Sequence, residues 1–260
     1  MIRNLRLFWL FSKNTVKASF QHRLGIFLFL AGKIGRFTVF FLFVYFLLKQ
    51  TKVLAGYNLN QTLIFFLTFN FIDSFSQFLF REVYRFRPLI VSGEFDLVLI
   101  KPHHPFLRIL VGGVDILDLP LTLLYIVLLT YFIFRSNFVD PTRIIFYFGL
   151  VLNALIIATA FHIIVLSLGI LTTEVDHTIM IFRDMTRMAS LPIDIYKEPI
   201  RSIFTFIIPV GIMMTFPVKM LFGMLSVNFF IVSLLIAFFV LSLSLYLWKT
   251  ALRKYQSWGS

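Results

Sequence analysis

No cysteine occurs among the 260 residues, so disulfides, thiolate nucleophiles and cysteine-ligated zinc or iron–sulfur centres are excluded. Charge is nearly as scarce. Only 14% of the residues are Asp, Glu, Lys or Arg, against about 25% in an ordinary soluble domain. Acidic side chains are the rarer sign, 12 against 24 Lys plus Arg. Nucleotide-binding chemistry is missing too: the one Gly-Lys pair, Gly32-Lys33, is followed by Ile34 inside an apolar run, so no G-x-x-x-x-G-K-[ST] loop can cradle phosphates. No H-E-x-x-H, G-x-S-x-G or S-x-x-K arrangement stands in a suitable context. His103 and His104 are adjacent, so they point apart on a helix or strand, and no Cys or third His lies near them. They read as a polar loop contact rather than a metal site.

What remains is apolar. Hydrophobic residues make up 59% of the chain and aromatics 18%, with 35 phenylalanines, and mean hydropathy is +0.91. A hydrocarbon core about 30 Å thick needs roughly 20 apolar helical residues to cross it. Barrel strands would show period-two polarity, which these runs lack. The expected fold is therefore all-α, a polytopic membrane helical bundle. We read about six spans, at Leu24–Leu48, Thr62–Phe80, Ile109–Phe134, Ile144–Leu171, Ile203–Phe222 and Val227–Trp248. With both termini cytoplasmic, segments 1–23, 81–108, 172–201 and 249–260 hold 17 of the 24 Lys plus Arg, and the outside loops hold four. That asymmetry sets the orientation. It also removes the need for a nucleic-acid partner, because the basic residues are spread over four segments rather than gathered on one face.

Two segments need separate treatment. Between 172 and 222, either 203–222 crosses alone, the preferred reading, or 178–196 also enters the bilayer and 206–223 partly re-enters from outside. Pro209 and Pro217 break helical hydrogen bonding, and irregular backbone at membrane depth survives only where protein or a cavity satisfies it. At the N-terminus, residues 3–20 are interrupted by Lys13 and Lys17, and no small-residue cleavage site follows an apolar core. On a helix, Arg3, Arg6, Lys13 and Lys17 fall within a sector of roughly 80°, opposite Leu5, Phe8, Trp9, Phe11 and Val16. Segment 1–23 thus predicts an amphipathic interfacial helix with its basic face toward lipid head groups. Packing of that helix on a partner subunit is a compatible alternative.

The longest polar break between early spans is 81–108, punctuated by Pro88 and Gly93. After Gly93, the apolar Phe95, Leu97, Val98, Leu99 and Ile100 alternate with Glu94, Asp96 and Lys101. So short an element cannot bury its apolar face alone; it must dock on the helix ends or on another protein. "SGEFDLVLIKPHHPF" (92–106) resembles the glycine, acidic, leucine-rich, basic, proline pattern in the first cytoplasmic loop of ABC-2 type permeases, specifically their six-span group. "LPIDIYKEPIRSIFTFIIPVGIMMTFPVKMLFG" (191–223) is similar to that group's proline-rich segment before the last span. "WKTALRKYQSWGS" (248–260) is similar to its aromatic and basic ending. With the amphipathic start, the resemblance covers essentially the whole of 1–260 as a single transmembrane domain. His103-His104 departs from it, standing where apolar or small residues are expected.

The resemblance implies the membrane subunit of an ATP-driven exporter in the cell membrane, moving a hydrophobic or amphiphilic cargo. It implies two copies of a separate ATP-binding subunit carrying ATP and Mg, a second permease chain, identical or a sibling, and no cofactor on this chain. Segment 81–108 would be the coupling loop, with Arg85, Arg87, Glu94, Phe95, Asp96 and Lys101 contacting the ATP-binding subunit.

Polar residues within the spans supply the remaining candidates, since ionisable groups at membrane depth face a bundle interior or a cavity. Asn70, Asp73, Gln77 and Arg81 fall at helical spacing on the second span. Lys33 and Arg36 lie one turn apart on the first, and antiparallel counting brings Arg36 and Asp73 to similar depth. Arg36, Asn70, Asp73 and Gln77 form a candidate substrate path, with an Arg36–Asp73 structural ion pair as the plainer alternative. Asp115 and Asp118 read as helix N-terminal charges, Asn153 and His162 as interhelical hydrogen-bonding groups, and Met213-Met214 as packing beside Pro209. A membrane-embedded lipid-modifying enzyme, using Asp115, Asp118 and His162, and a passive channel or scaffold are the competing functional readings.

Overall fold

The computed structural model describes residues 2–20, 23–136 and 140–256. Gln21, His22, Asn137, Phe138, Val139 and the last part of the expected C-terminal block, Ser257–Ser260, lie outside the described residues. The chain is helical almost throughout. Helix α1 (Ile2–Ser19) precedes the long α2 (Arg23–Thr51), and a two-residue hairpin, β1 (Val53–Leu54) with β2 (Tyr57–Asn58), returns the chain into α3 (Leu59–Phe80). A 3₁₀ turn (Arg81–Arg85) leads to the short helices α4 (Phe86–Val91), α5 (Glu94–Leu99) and α6 (Phe106–Ile109). Then come α7 (Leu119–Arg135), α8 (Pro141–Thr172) and α9 (Val175–Arg187). The last part holds α10 (Ile200–Ser202), a π-helical turn (Ile203–Ile207), α11 (Val210–Met214), α12 (Phe216–Leu221) and α13 (Val227–Lys254).

Four helical stretches among the described residues are long and apolar enough to cross a membrane: Leu24–Thr51, Leu59–Val91, Pro141–Thr172 and Val227–Lys254. Local chemistry fixes their starts. The Asn58 carboxamide accepts from the Gln61 amide at 2.9 Å while Gln61 accepts from the Asn58 amide at 3.0 Å. This reciprocal cap starts α3 before the expected Thr62. Asp140 accepts from the Thr142 amide at 2.9 Å and Pro141 occupies the first turn of α8, where its missing N–H costs nothing.

The parallel pair α8 and α13 forms the spine, Gly149 facing Phe230 near their starts and Trp248 lying by the last half of α8. Helices α3, α11 and α12 pack around the first half of α8, and α7 packs on α3. A second apolar cluster surrounds the last half of α8. There Phe86, Ile90, Phe95 and Val98 from the short helices meet Val175, Ile179 and Phe182 of α9 and Trp248 of α13. Helix α2 stands apart, with only 6% of its apolar window buried.

Two expected spans are corrected. The third was expected over Ile109–Phe134, but α7 begins only at Leu119, leaving 110–118 as an irregular strap. Its glycines explain this: a Cβ on Gly112 would lie 1.8 Å from the Arg108 carbonyl oxygen, and one on Gly113 2.2 Å from Thr15 Oγ1. The strap instead donates the Asp115 amide to the Phe78 carbonyl at 3.0 Å. The single helix expected over Ile203–Phe222 is not formed either. Pro209 and Pro217 cannot donate amide hydrogens, and the segment breaks into α10, the π-helical turn, α11 and α12.

The segment from α9 onward doubles back on itself. Val175 lies against Gly169 near the end of α8, and Phe182 stacks near Phe161 and His162, both at 5.2 Å between ring centres. Asp194 has by then reached Tyr57 at the start of α3, accepting from its hydroxyl at 2.6 Å. The chain next turns back until Phe206, Ile207 and Pro209 share an apolar cavity with Phe161 and Ile164. It reverses again, and Gly223 comes against Arg143 in the first turn of α8. The loop is latched where it begins: Lys219 donates to Asp194 at 2.7 Å, and Thr215 Oγ1 accepts the Ile193 amide at 3.2 Å. Burial and the adjacent Asp194 carboxylate push the Tyr57 phenol up, so it stays protonated and donates.

Candidate functional site: a charged cavity and a folded loop

A cavity of about 430 Å³ opens between α2, α3, the start of α7 and α9. All four residues expected on a substrate path, Arg36, Asn70, Asp73 and Gln77, line it, joined by Lys33, Asp118, Arg183 and Arg187. The expected Arg36–Asp73 ion pair is corrected. Gln77 Nε2 donates to Asp73 Oδ2 at 2.8 Å, and it is Lys33 that reaches a carboxylate, the Asp118 Oδ1. The strap is the cause, because the unwound 110–118 brings Asp118, 1% exposed, onto the cavity floor. Asn70 Nδ2 donates to its own helix at the Phe66 carbonyl, 2.7 Å away.

The remaining polar expectations divide. Asp118 occupies the N-cap position of α7 but makes no side-chain cap hydrogen bond, and Asp115 pairs with Arg81 at 3.1 Å. Asp118 thus stands at a helix start as expected, and both carboxylates are in addition engaged by cations. Asn153 Nδ2 bonds the Ser233 carbonyl across α8 and α13 at 3.1 Å, as expected. His162 does not reach another helix with its hydrogen bond: Nδ1 lies 2.7 Å from Ala158 O of its own helix, and the ring packs on Phe80 and Phe182. The Met213-Met214 pair is buried in the main core.

Arg183 and Arg187 are site residues that sequence reasoning missed. Both were counted within a cytoplasmic loop, 172–201. The signal was present: Val175, Ile179, Phe182 and Thr186, all buried, recur at helical spacing, which turns Arg183 and Arg187 to the opposite flank.

Segment 81–108 is a compact folded unit. Gly93, at φ 74°, adopts the left-handed conformation that glycine takes without steric cost. It thereby folds α5 back on α4. Phe95 is consequently buried against Phe86 and Tyr255, with ring centres 5.2 and 5.1 Å apart. Its expected place on a contact surface is corrected: at 0% exposure it anchors α5 and touches nothing outside. Buried Glu82 clamps the unit, pairing with Arg85 at 3.0 Å and with Arg108. Arg87 reaches Asp176 of α9 at 3.1 Å. Asp96 is half-buried in the first turn of α5, while Glu94 and Lys101 are exposed. Between these two lie the open apolar side chains Leu97 and Ile100, 56% and 77% exposed.

Helix α1 forms as expected but serves two surfaces. Arg3 donates to the Pro102 carbonyl at 2.9 Å, and the Arg108 guanidinium lies over the Phe11 ring at 5.9 Å. Leu5 and Trp9 remain open.

A family model described as "ABC-2 family transporter protein" matches residues 34–259. A folded helical loop and a charged cavity within long apolar helices define an integral membrane transport component. The chain belongs to the ABC-2 transporter family, whose membership implies association with an ATP-binding subunit. No curated protein matches it, and no solved structure matches it. Among the described residues, no group of three or more His, Cys, Asp or Glu is placed to hold a metal ion.

Proposed function

We propose that this chain is the membrane permease subunit of an ATP-binding cassette exporter in the cell membrane. It moves a hydrophobic or amphiphilic cargo with ATP and Mg held by a separate subunit, and it binds no cofactor itself. The working assembly has two copies of that subunit and two permease chains, identical or sibling. Family membership across residues 34–259 carries this reading. The folded loop supports it, because the exposed Glu94 and Lys101 flank the open Leu97 and Ile100. An apolar patch rimmed by charge is the composition of a docking surface. In this reading both termini are cytoplasmic, α9 with the residues after it makes the fifth crossing, and α10 to α12 form a re-entrant hairpin from the outer side. Arg36, Asn70, Asp73 and Gln77 then face the cargo.

The residues an enzyme reading would call on are engaged within the fold. Asp115 is tied to Arg81, Asp118 to Lys33, and His162 to Ala158 with a shell of aromatic rings. Co-expressed with its ATP-binding subunit, the chain is expected to purify in a complex holding two of each, with cargo-stimulated ATP hydrolysis. Leu97→Asp with Ile100→Asp should abolish co-purification while membrane insertion persists. ATP hydrolysis by the isolated chain would overturn the proposal.

A further inference from the structure

The cavity wall is graded in both charge and polarity. Helices α2 and α3 are antiparallel neighbours, so ascending numbers on α2 match descending numbers on α3. At one end of the cavity lie Lys33, Arg36, Asp73, Gln77, Asp118 and Arg183; at the other lie Phe37, Phe40, Phe66, Phe69 and Tyr125. The aromatic end is a built surface. Phe37 stacks on Phe66 with ring centres 5.6 Å apart and leans on Tyr125 at 5.0 Å, and Phe40 meets Phe66 at 5.0 Å.

The charged end does not balance. Asp118 is matched by Lys33, and Arg187 faces Asp184 at 3.4 Å. Arg36 and Arg183 have no hydrogen bond or ion pair among the described residues, and the one remaining carboxylate is Asp73, itself held by Gln77. Two guanidinium groups from different helices therefore converge on a space with a single acidic group. Guanidinium is the side chain best suited to grip phosphate or carboxylate in paired hydrogen bonds. A volume of about 430 Å³ lies within the range of small-molecule sites, about 300–1,000 Å³.

We infer that the cavity takes an amphiphile with an anionic head group, a phosphate or carboxylate on an apolar tail. The head is held by Arg36 and Arg183, and the tail lies along Phe37, Phe40, Phe66 and Tyr125. This rests on the substrate-path reading and deepens it: a cationic amphiphile would meet the excess positive charge that Arg36 and Arg183 leave against the single Asp73 carboxylate.

The test uses the full chain in nanodiscs of neutral phosphatidylcholine and compares three probes: dodecyl phosphate, dodecyltrimethylammonium and inorganic phosphate. Dodecyl phosphate should bind saturably and at least about tenfold more tightly than the ammonium probe, the scale of one or two charge-assisted hydrogen bonds. Inorganic phosphate should not displace it at equal concentration. Arg36→Gln with Arg183→Gln should erase the preference, and Arg36→Lys with Arg183→Lys should keep most of it. If the glutamine variant fails to fold, the head-group comparison on the parent chain still decides. Tighter binding of the ammonium probe, or a preference that survives in the folded glutamine variant, overturns the anionic assignment. Full displacement by inorganic phosphate would reduce the site to a simple anion site and overturn the amphiphile. The path reading fails separately, if no probe of either charge responds to Phe37→Ala with Phe66→Ala.

Discussion

Lys33 and Asp118 form an ion pair with a buried carboxylate at the cavity. Asp118 is 1% exposed, so its charge is tolerable only because the ammonium group is beside it. Removing one partner of a buried pair costs about 3–5 kcal/mol, whereas replacing both with apolar groups is often neutral. Asp118→Ala alone should therefore lower the melting temperature of the purified chain, and Lys33→Met with Asp118→Leu should recover most of the loss. Equal melting of the single and double variants would mean the pair is not structural. The residues involved were legible in the sequence as ionisable groups in apolar runs, and Arg36, Asn70, Asp73 and Gln77 were correctly grouped by spacing. The pairing was not legible, because the depth count compared only the first two spans and Asp118 was read as a charge at the start of a regular third span. One unwound strap exchanged the partners.

That strap shows how short elements escape a reading built on periodicity. Helices α2, α3, α8 and α13 announce themselves by length, since runs of about 20 apolar residues have few other structures available. Segment 110–118 and the pieces α10 to α12 are each too short to show a period, and only Gly112-Gly113, Pro209 and Pro217 marked them. The strap also ties three regions together: Glu82 and Arg108 hold its beginning, Arg81 and Phe78 its middle, and Lys33 its end. The folded loop and the cavity floor are thereby joined by one continuous set of contacts. Helix α1 rests on the same strap at Gly113, where a Cβ would stand 2.2 Å from Thr15 Oγ1. Gly113→Ala should lift α1 and raise the rate of tryptic cleavage at Lys13 and Lys17, and Thr15→Ala added to it should restore protection. Identical cleavage rates in parent, single and double variants would mean that α1 is not seated there.

At the scale of the molecule, helix α2 sets the most unusual condition. It supplies one wall of the cavity while 6% of its apolar window is buried, and its 29 residues extend about 43 Å at 1.5 Å each. The hydrocarbon core is about 30 Å thick. A helix this long, held chiefly along α3, matches the bilayer by leaning, and its angle follows lipid thickness at a modest cost per ångström. Leaning moves Lys33, Arg36 and Phe37 as a group against walls that α8 holds still. Lipid chain length thus acts as an external setting of the cavity's width. Cargo-stimulated ATP hydrolysis by the assembled complex should change between short-chain and long-chain phosphatidylcholine at constant head group, while its basal rate changes less. Equal responses in both would mean that a second chain clamps α2. A differing response would mean that the lipid around α2 bears on the site, so that the same protein would work differently in membranes of different thickness.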